Sequence, residues 1–171
     1  MNLILSSLLA LLMFVPAQAQ HRPDTTPQKA AMQKLSPLVG QWKGNATVMR
    51  AAGDPLPLKQ TEEVAYKLDG LVLVIEGTGR DGAGTVAFNA LGVVSYDQAS
   101  HTYKIRAWNA GNFVETELKV NGSKFEWSFQ HGPVRVQNTI TIDEKGVWTE
   151  TSEAFMDGKM VHNTRMVLQR L

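Results

Sequence analysis

Lys124-Phe125-Glu126-Trp127-Ser128-Phe129-Gln130 carries an aromatic side chain at every second position and a polar one between. A period of two is the signature of an extended strand with one dry face and one wet face. The next segment repeats it: Val134, Val136, Ile140 and Ile142 alternate with Arg135, Gln137, Thr139 and Thr141. Between the two lies His131-Gly132-Pro133, too short for anything but a hairpin turn. Two adjacent amphipathic strands joined by a tight turn make an antiparallel pair, and the same pattern extends in both directions.

Reading outward, turn residues punctuate the chain every eight to ten positions or so: Asp69-Gly70, Asp81-Gly82, Asn121-Gly122, Glu144-Lys145-Gly146 and Asp157-Gly158. Asn-Gly and Asp-Gly tolerate the positive φ of hairpin turns. The segments between them predict strands at 41–50, 60–68, 71–79, 84–96, 101–109, 112–120, 123–131, 133–142, 146–155 and 159–170. Gly77 to Gly84 is glycine-rich, but no helix follows, so it lacks the context of a phosphate-cradling loop and reads as a hairpin tip. An open meander of this many strands would expose long edges, and closure removes them. The fold expected is all-β: a single antiparallel up-and-down β-barrel of about ten strands with a short N-terminal helix. No internal repeat or low-complexity segment interrupts it.

The helix is read from Gln28 to Leu38, where Ala31, Leu35 and Leu38 recur at helical spacing; Pro27 is a suitable first helical residue and Pro37 disfavours continuation past Ser36. Residues 20–27, with Pro23 and Pro27, read as a disordered tether. Before it, Leu3 to Val15 is an apolar run, Pro16 ends it, and Ala17-Gln18-Ala19 is a small-x-small cleavage pattern. Residues 1–19 are therefore expected to be a secretory signal peptide cut after Ala19, although Met1-Asn2 brings no basic side chain. The run falls short of the ~20 apolar residues that span a bilayer. The expected organisation is signal peptide 1–19, tether 20–27 and one barrel domain, 28–171. The expected location is secreted or periplasmic.

Composition excludes several classes. The chain of 171 residues has a formal net charge of +1, from 17 basic and 16 acidic side chains well mixed along it. No basic run marks a nucleic-acid surface, and no second apolar span or basic amphipathic stretch marks a membrane role once the signal is removed. With no Cys there is neither a lipobox nor a cysteine nucleophile, and an exported form must be stable through its core alone. His21, His101, His131 and His162 show no pair at metal-ligand spacing, so no metal site is expected.

Candidate interior residues follow from strand alternation. Phe125, Trp127 and Phe129 form one apolar face; aromatics in such a place are more often core than ligand cradle, and Trp127 with Phe125 and Phe129 is the best candidate for lining a pocket. On the fifth strand Tyr103, Ile105 and Ala107 compete with Lys104, Arg106 and Trp108 for the interior. If Trp108 faces inward, so does Arg106, which then needs an anionic partner or water. Trp148 shares a face with Glu150, and His162, Thr164, Met166 and Leu168 oppose Val161, Asn163, Arg165 and Val167. Arg106, Asn138, Glu150 and either His162 or Arg165 therefore form a polar set able to converge inside, with a solvated outer-face charge as the plainer reading of Arg106 and Glu150. A single bulge reverses the assignment on its strand.

Gly40-x-Trp42-x-Gly44 after a short helix, a ten-strand meander and an Arg-bearing last strand resemble the calycin superfamily. That group holds lipocalins, fatty-acid-binding proteins and nitrobindin-type haem-binding barrels. The strand count looks more like the latter two branches, and Ser95-Tyr96-Asp97, Gly146-Val147-Trp148-Thr149-Glu150 and Arg165-Met166-Val167-Leu168 look like exported bacterial lipocalin-like families. The resemblance covers about residues 35–171. It implies that Trp42 packs at the closed end against a last-strand arginine, Arg165 or Arg170. Nitrobindin-like barrels open Gly-x-Trp-x-Gly-x-Gly, where this chain has Ala46, and they ligate haem through a His beyond the final strand. His162 lies within that strand and does not match.

The expected function is an exported barrel for a small, largely apolar molecule, with a carboxylate as its polar end if it has one. The expected ligand-binding residues are Arg106, Trp108, Phe125, Trp127, Phe129, Asn138, Glu150, His162 and Arg165, with an arginine as anion anchor; no cofactor is expected. The alternatives are an isomerase or hydrolase using Glu150 or His162 as general base, a haem-binding nitrobindin-like barrel, or a barrel filled by its own side chains.

Overall fold

The computed structural model describes residues 23–48 and 54–171. The expected signal peptide at 1–19, residues 20–22 of the expected tether with His21, and the last two residues of the first expected strand lie outside the described residues.

Helix α1 spans Thr26–Met32 with Pro27 in its first turn, so the helix starts two residues inside the expected tether. It tightens into a 3-10 segment, Gln33–Leu38, which contains Pro37. Ten strands follow: β1 Gly40–Val48, β2 Leu56–Lys67, β3 Val72–Arg80, β4 Val86–Asp97, β5 Thr102–Asn109, β6 Asn112–Asn121, β7 Lys124–His131, β8 Val134–Ile142, β9 Val147–Met156 and β10 Lys159–Arg170. Every sequential pair is antiparallel, and β1 also pairs with β10, so the sheet closes on itself. Closure leaves no edge strand. Two-residue turns do much of the connecting: Asp157 and Gly158 take φ of 51° and 74°, the paired positive values that suit strand twist.

The two ends of the barrel differ. At one end the helical lead-in lies across the opening, with Met32, Leu35 and Leu38 buried in the core cluster. Polar bonds fix it there. Tyr66 donates to the Met32 carbonyl at 2.7 Å and Tyr103 to the Ala31 carbonyl at 2.8 Å, while Lys29 pairs with Asp69. The opening motif sits in the same closure. Trp42 Nε1 donates to Leu38 O at 2.9 Å, and the Trp42 ring meets Trp148 edge-on with centroids 5.3 Å apart. Of the two arginines considered, Arg170 is the one over Trp42, its Cζ 4.2 Å from the ring centroid. Its guanidinium also donates to the carbonyls of Pro37, at 2.8 Å, and Val39. Such a cation–aromatic contact is worth roughly 0.5–2 kcal/mol. Gly44 is required because a Cβ there would overlap the Val167 carbonyl of β10.

One ladder is short. β6 and β7 pair only at Lys119↔Glu126, Val120↔Phe125 and Asn121↔Lys124, next to the helix-capped end. Toward the other end the two strands are joined by Thr116 Oγ1, which donates to Ser128 O at 2.9 Å.

Candidate functional site

Above the Trp42–Trp148 pair the barrel encloses a cavity of about 630 Å³ that opens at the end away from the helix. Its walls are largely aliphatic and aromatic, with Ile75, Phe88, Ile105, Trp127, Phe129 and Val136 among them. Its deep end is polar. Gln60 and Glu62 reach in from β2, Asn138 from β8 and Glu150 from β9.

The register explains how two polar side chains of β2 come to be inside. Val64 and Leu58 are buried, and the residues of the same parity between them are Glu62 and Gln60. Their partners on β3 are Gly77 and Gly79. A Cβ on Gly77 would come 2.6 Å from Glu62 Oε1, and one on Gly79 would come 2.5 Å from Gln60 Oε1. Gly77 and Gly79, which fall both in the expected strand 71–79 and in the glycine-rich stretch read as a hairpin tip, belong to the strand and make room for an interior carboxylate and amide; the turn proper falls between Arg80 and Val86.

Glu62 is 6% exposed, and its Oε1 accepts from Gln60 Nε2 at 2.7 Å. Burial raises its pKa from the usual carboxylate range to about 7, and the Gln60 bond offsets that only in part. Glu150 Oε2 accepts from Trp148 Nε1 at 3.2 Å. Burial, with the nearby charge of Glu62 added, pushes its pKa up to about 8. Two carboxylates in one low-dielectric space each disfavour the other's ionisation, and neither has a cationic partner: among the described residues lining the cavity there is no Lys or Arg. Asn138 is 7% exposed, lines the same space, and its side chain makes no hydrogen bond to any described residue.

The structure distributes the sequence candidates unevenly. Trp127, Phe129, Asn138, Glu150 and His162 line the cavity. His162 stands at the level of Ala154, its Nε2 3.3 Å from Thr164 Oγ1, after a bulge between Met160 and His162. Trp108 is at the rim, 41% exposed, with its ring 5.1 Å from Phe113. Phe125 is fully buried in the core and does not border the cavity.

The two arginines are corrections. Ile105 and Ala107 take the inside of β5, so Arg106 lies on the outer face, paired to Glu115 at 2.6 Å and donating to Ser95 Oγ at 3.4 Å. Arg165 is exposed between Thr164 and Met166, both of which line the cavity. Neither can anchor an anion inside. Sequence reasoning missed Glu62 and Gln60, because Gln60-Thr61-Glu62-Glu63 is polar on both faces. The signal that locates them is the matching Gly77-x-Gly79 spacing on the partner strand, which becomes meaningful only once the register is known.

No family model matches the chain, and neither does any curated protein. Among solved structures it is similar to the crystal structure of Rv2717c from M. tuberculosis, with a TM-score of 0.63 over 82% of this chain and 97% of that one, at 16% identity. At that identity the likeness is one of fold.

Proposed function

We propose that this protein is an exported binding barrel of the calycin type that holds one small, largely apolar molecule. The observation that carries the reading is the cavity of about 630 Å³, apolar along its walls and polar at a few places near its floor. An apolar pocket with a small number of convergent polar groups is the usual form of a small-molecule site. Export rests on the apolar run and cleavage pattern of residues 1–19. A carboxylate-ended ligand loses its support, because Arg106 and Arg165 lie outside. Trp127 and Trp148 border the cavity and report on its contents. Titration with a neutral apolar probe such as dodecanol or retinol is expected to change Trp fluorescence and raise the melting temperature. Silence from every apolar probe in both measurements would remove the reading.

A second reading, an enzyme on the same barrel, is favoured by Glu150. It faces an open cavity with a proton affinity suited to general acid–base work near neutral pH. Under that reading Glu150→Gln abolishes turnover while probe binding persists. No arrangement of the cavity histidines favours haem: His162 meets Thr164, and His131 is exposed at the mouth.

A further inference from the structure

The floor of the cavity has a charge problem that its own residues do not solve. Glu62, which is buried, and Glu150, which is half-buried and borders the open cavity, are brought to one floor from opposite parts of the chain, on β2 and β9. Gly77 makes space for Glu62 and Gly79 for Gln60, and Glu62 Oε1 is held by Gln60. Its Oε2 and Glu150 Oε1 accept no hydrogen bond from any described residue. Beside them Asn138, more than nine-tenths buried, has an amide with no partner among the described residues. Buried carboxylates and amides are normally paired, and an unpaired one is costly. The wall above is apolar, and no described Lys or Arg reaches the cavity.

We propose that the molecule bound here is an amphiphilic amine, its apolar body along the aromatic wall and its protonated nitrogen at Glu62 and Glu150, with Asn138 as a neutral hydrogen-bond partner. This rests on the binding-barrel reading and adds the ligand's chemical class. An ammonium supplies three donors to oxygens that lack them and the positive charge that the two carboxylates lack. A fatty acid or other anion would bring further negative charge to a floor that already resists ionising its own carboxyl groups, and is selected against.

The test compares dodecylamine, dodecanol and dodecanoic acid, one chain length with three head groups, titrated at neutral pH below their aggregation concentrations. Trp fluorescence and calorimetry are the readouts. The amine is expected to bind about tenfold or more tighter than the alcohol, the scale of a charge-assisted hydrogen bond, and the acid weakest of the three. Glu62→Gln and Glu150→Gln are expected to remove most of the amine's advantage over the alcohol, with melting curves to show that each variant folds. The wild-type series stands without the variants. An acid that binds as well as the amine, or an amine that shows no advantage over the alcohol, overturns this inference and leaves the binding barrel intact. Failure of all three ligands to bind overturns both.

Discussion

Glu62 and Glu150 are the residues where structure and chemistry meet most directly. Both have folded-state pKa values raised above the ordinary carboxylate value of 4.5, to about 7 and about 8. The native state therefore binds more protons than the unfolded chain across that interval, so stability is fully present below about pH 4.5 and is lost as pH rises through 7 to 8. The melting temperature of the ligand-free protein is expected to fall between about pH 5 and pH 9, reflecting a loss on the order of a few kcal/mol. In a Glu62→Gln/Glu150→Gln double variant the slope should largely flatten. A wild-type melting temperature that rises over this range would contradict the assignment of both carboxylates to the interior. Glu150 was legible in the sequence as a strand-mate of Trp148, since a large aromatic marks the inner face. Glu62 was not, because its neighbours Thr61 and Glu63 are polar too and no apolar stripe tells inside from outside. Arg106 misled for the opposite reason. Trp108, of the same parity, reads as an inward residue but stands at the rim, where a ring can border the cavity without leading its strand inward.

At the level of elements, period-two alternation and turn residues placed all ten strands, with ends displaced by no more than a few positions. The largest shift is at β2, which starts at Leu56 and not at residue 60. Pro55 and Pro57 conceal that start, because proline cannot donate to a ladder and reads as a breaker; Pro57 is tolerated opposite Thr47 near the strand's beginning. The short β6–β7 ladder had no sequence signal at all. Both strands alternate well, yet their pairing stops after Lys119↔Glu126. Amides of β6 and β7 that point into this seam are expected to exchange on the order of a hundredfold faster than those of the β8–β9 ladder, which is continuous from Val134 to Ile142. Equal protection by hydrogen-exchange mass spectrometry or NMR would show that the seam is closed in solution.

For the whole molecule, the division between a plugged end and an open end decides what the barrel can do. The plug is built from Met32, Leu35, Leu38, Trp42 and Arg170, with Tyr66 and Tyr103 as ties. The open half is lined in several places by small residues, Ala90, Gly92 and Ala107 among them, and these leave the volume in which a ligand fits. Ala107→Phe is expected to fill part of that space, weaken binding of apolar probes by about tenfold or more, and shift the melting temperature little, since it displaces no packed core atom. Unchanged probe affinity in a folded Ala107→Phe protein would place the bound molecule elsewhere. The chain alone determined the all-β class, the number of strands, their antiparallel order and the short helix ahead of them, because periodicity and turn chemistry are local properties. Only the tertiary structure decided which arginine covers Trp42, which charges lie inside, and that the interior is a cavity with two carboxylates at its floor. Those outcomes depend on register between strands and on closure of β1 against β10, and both are set by packing between residues far apart in the chain.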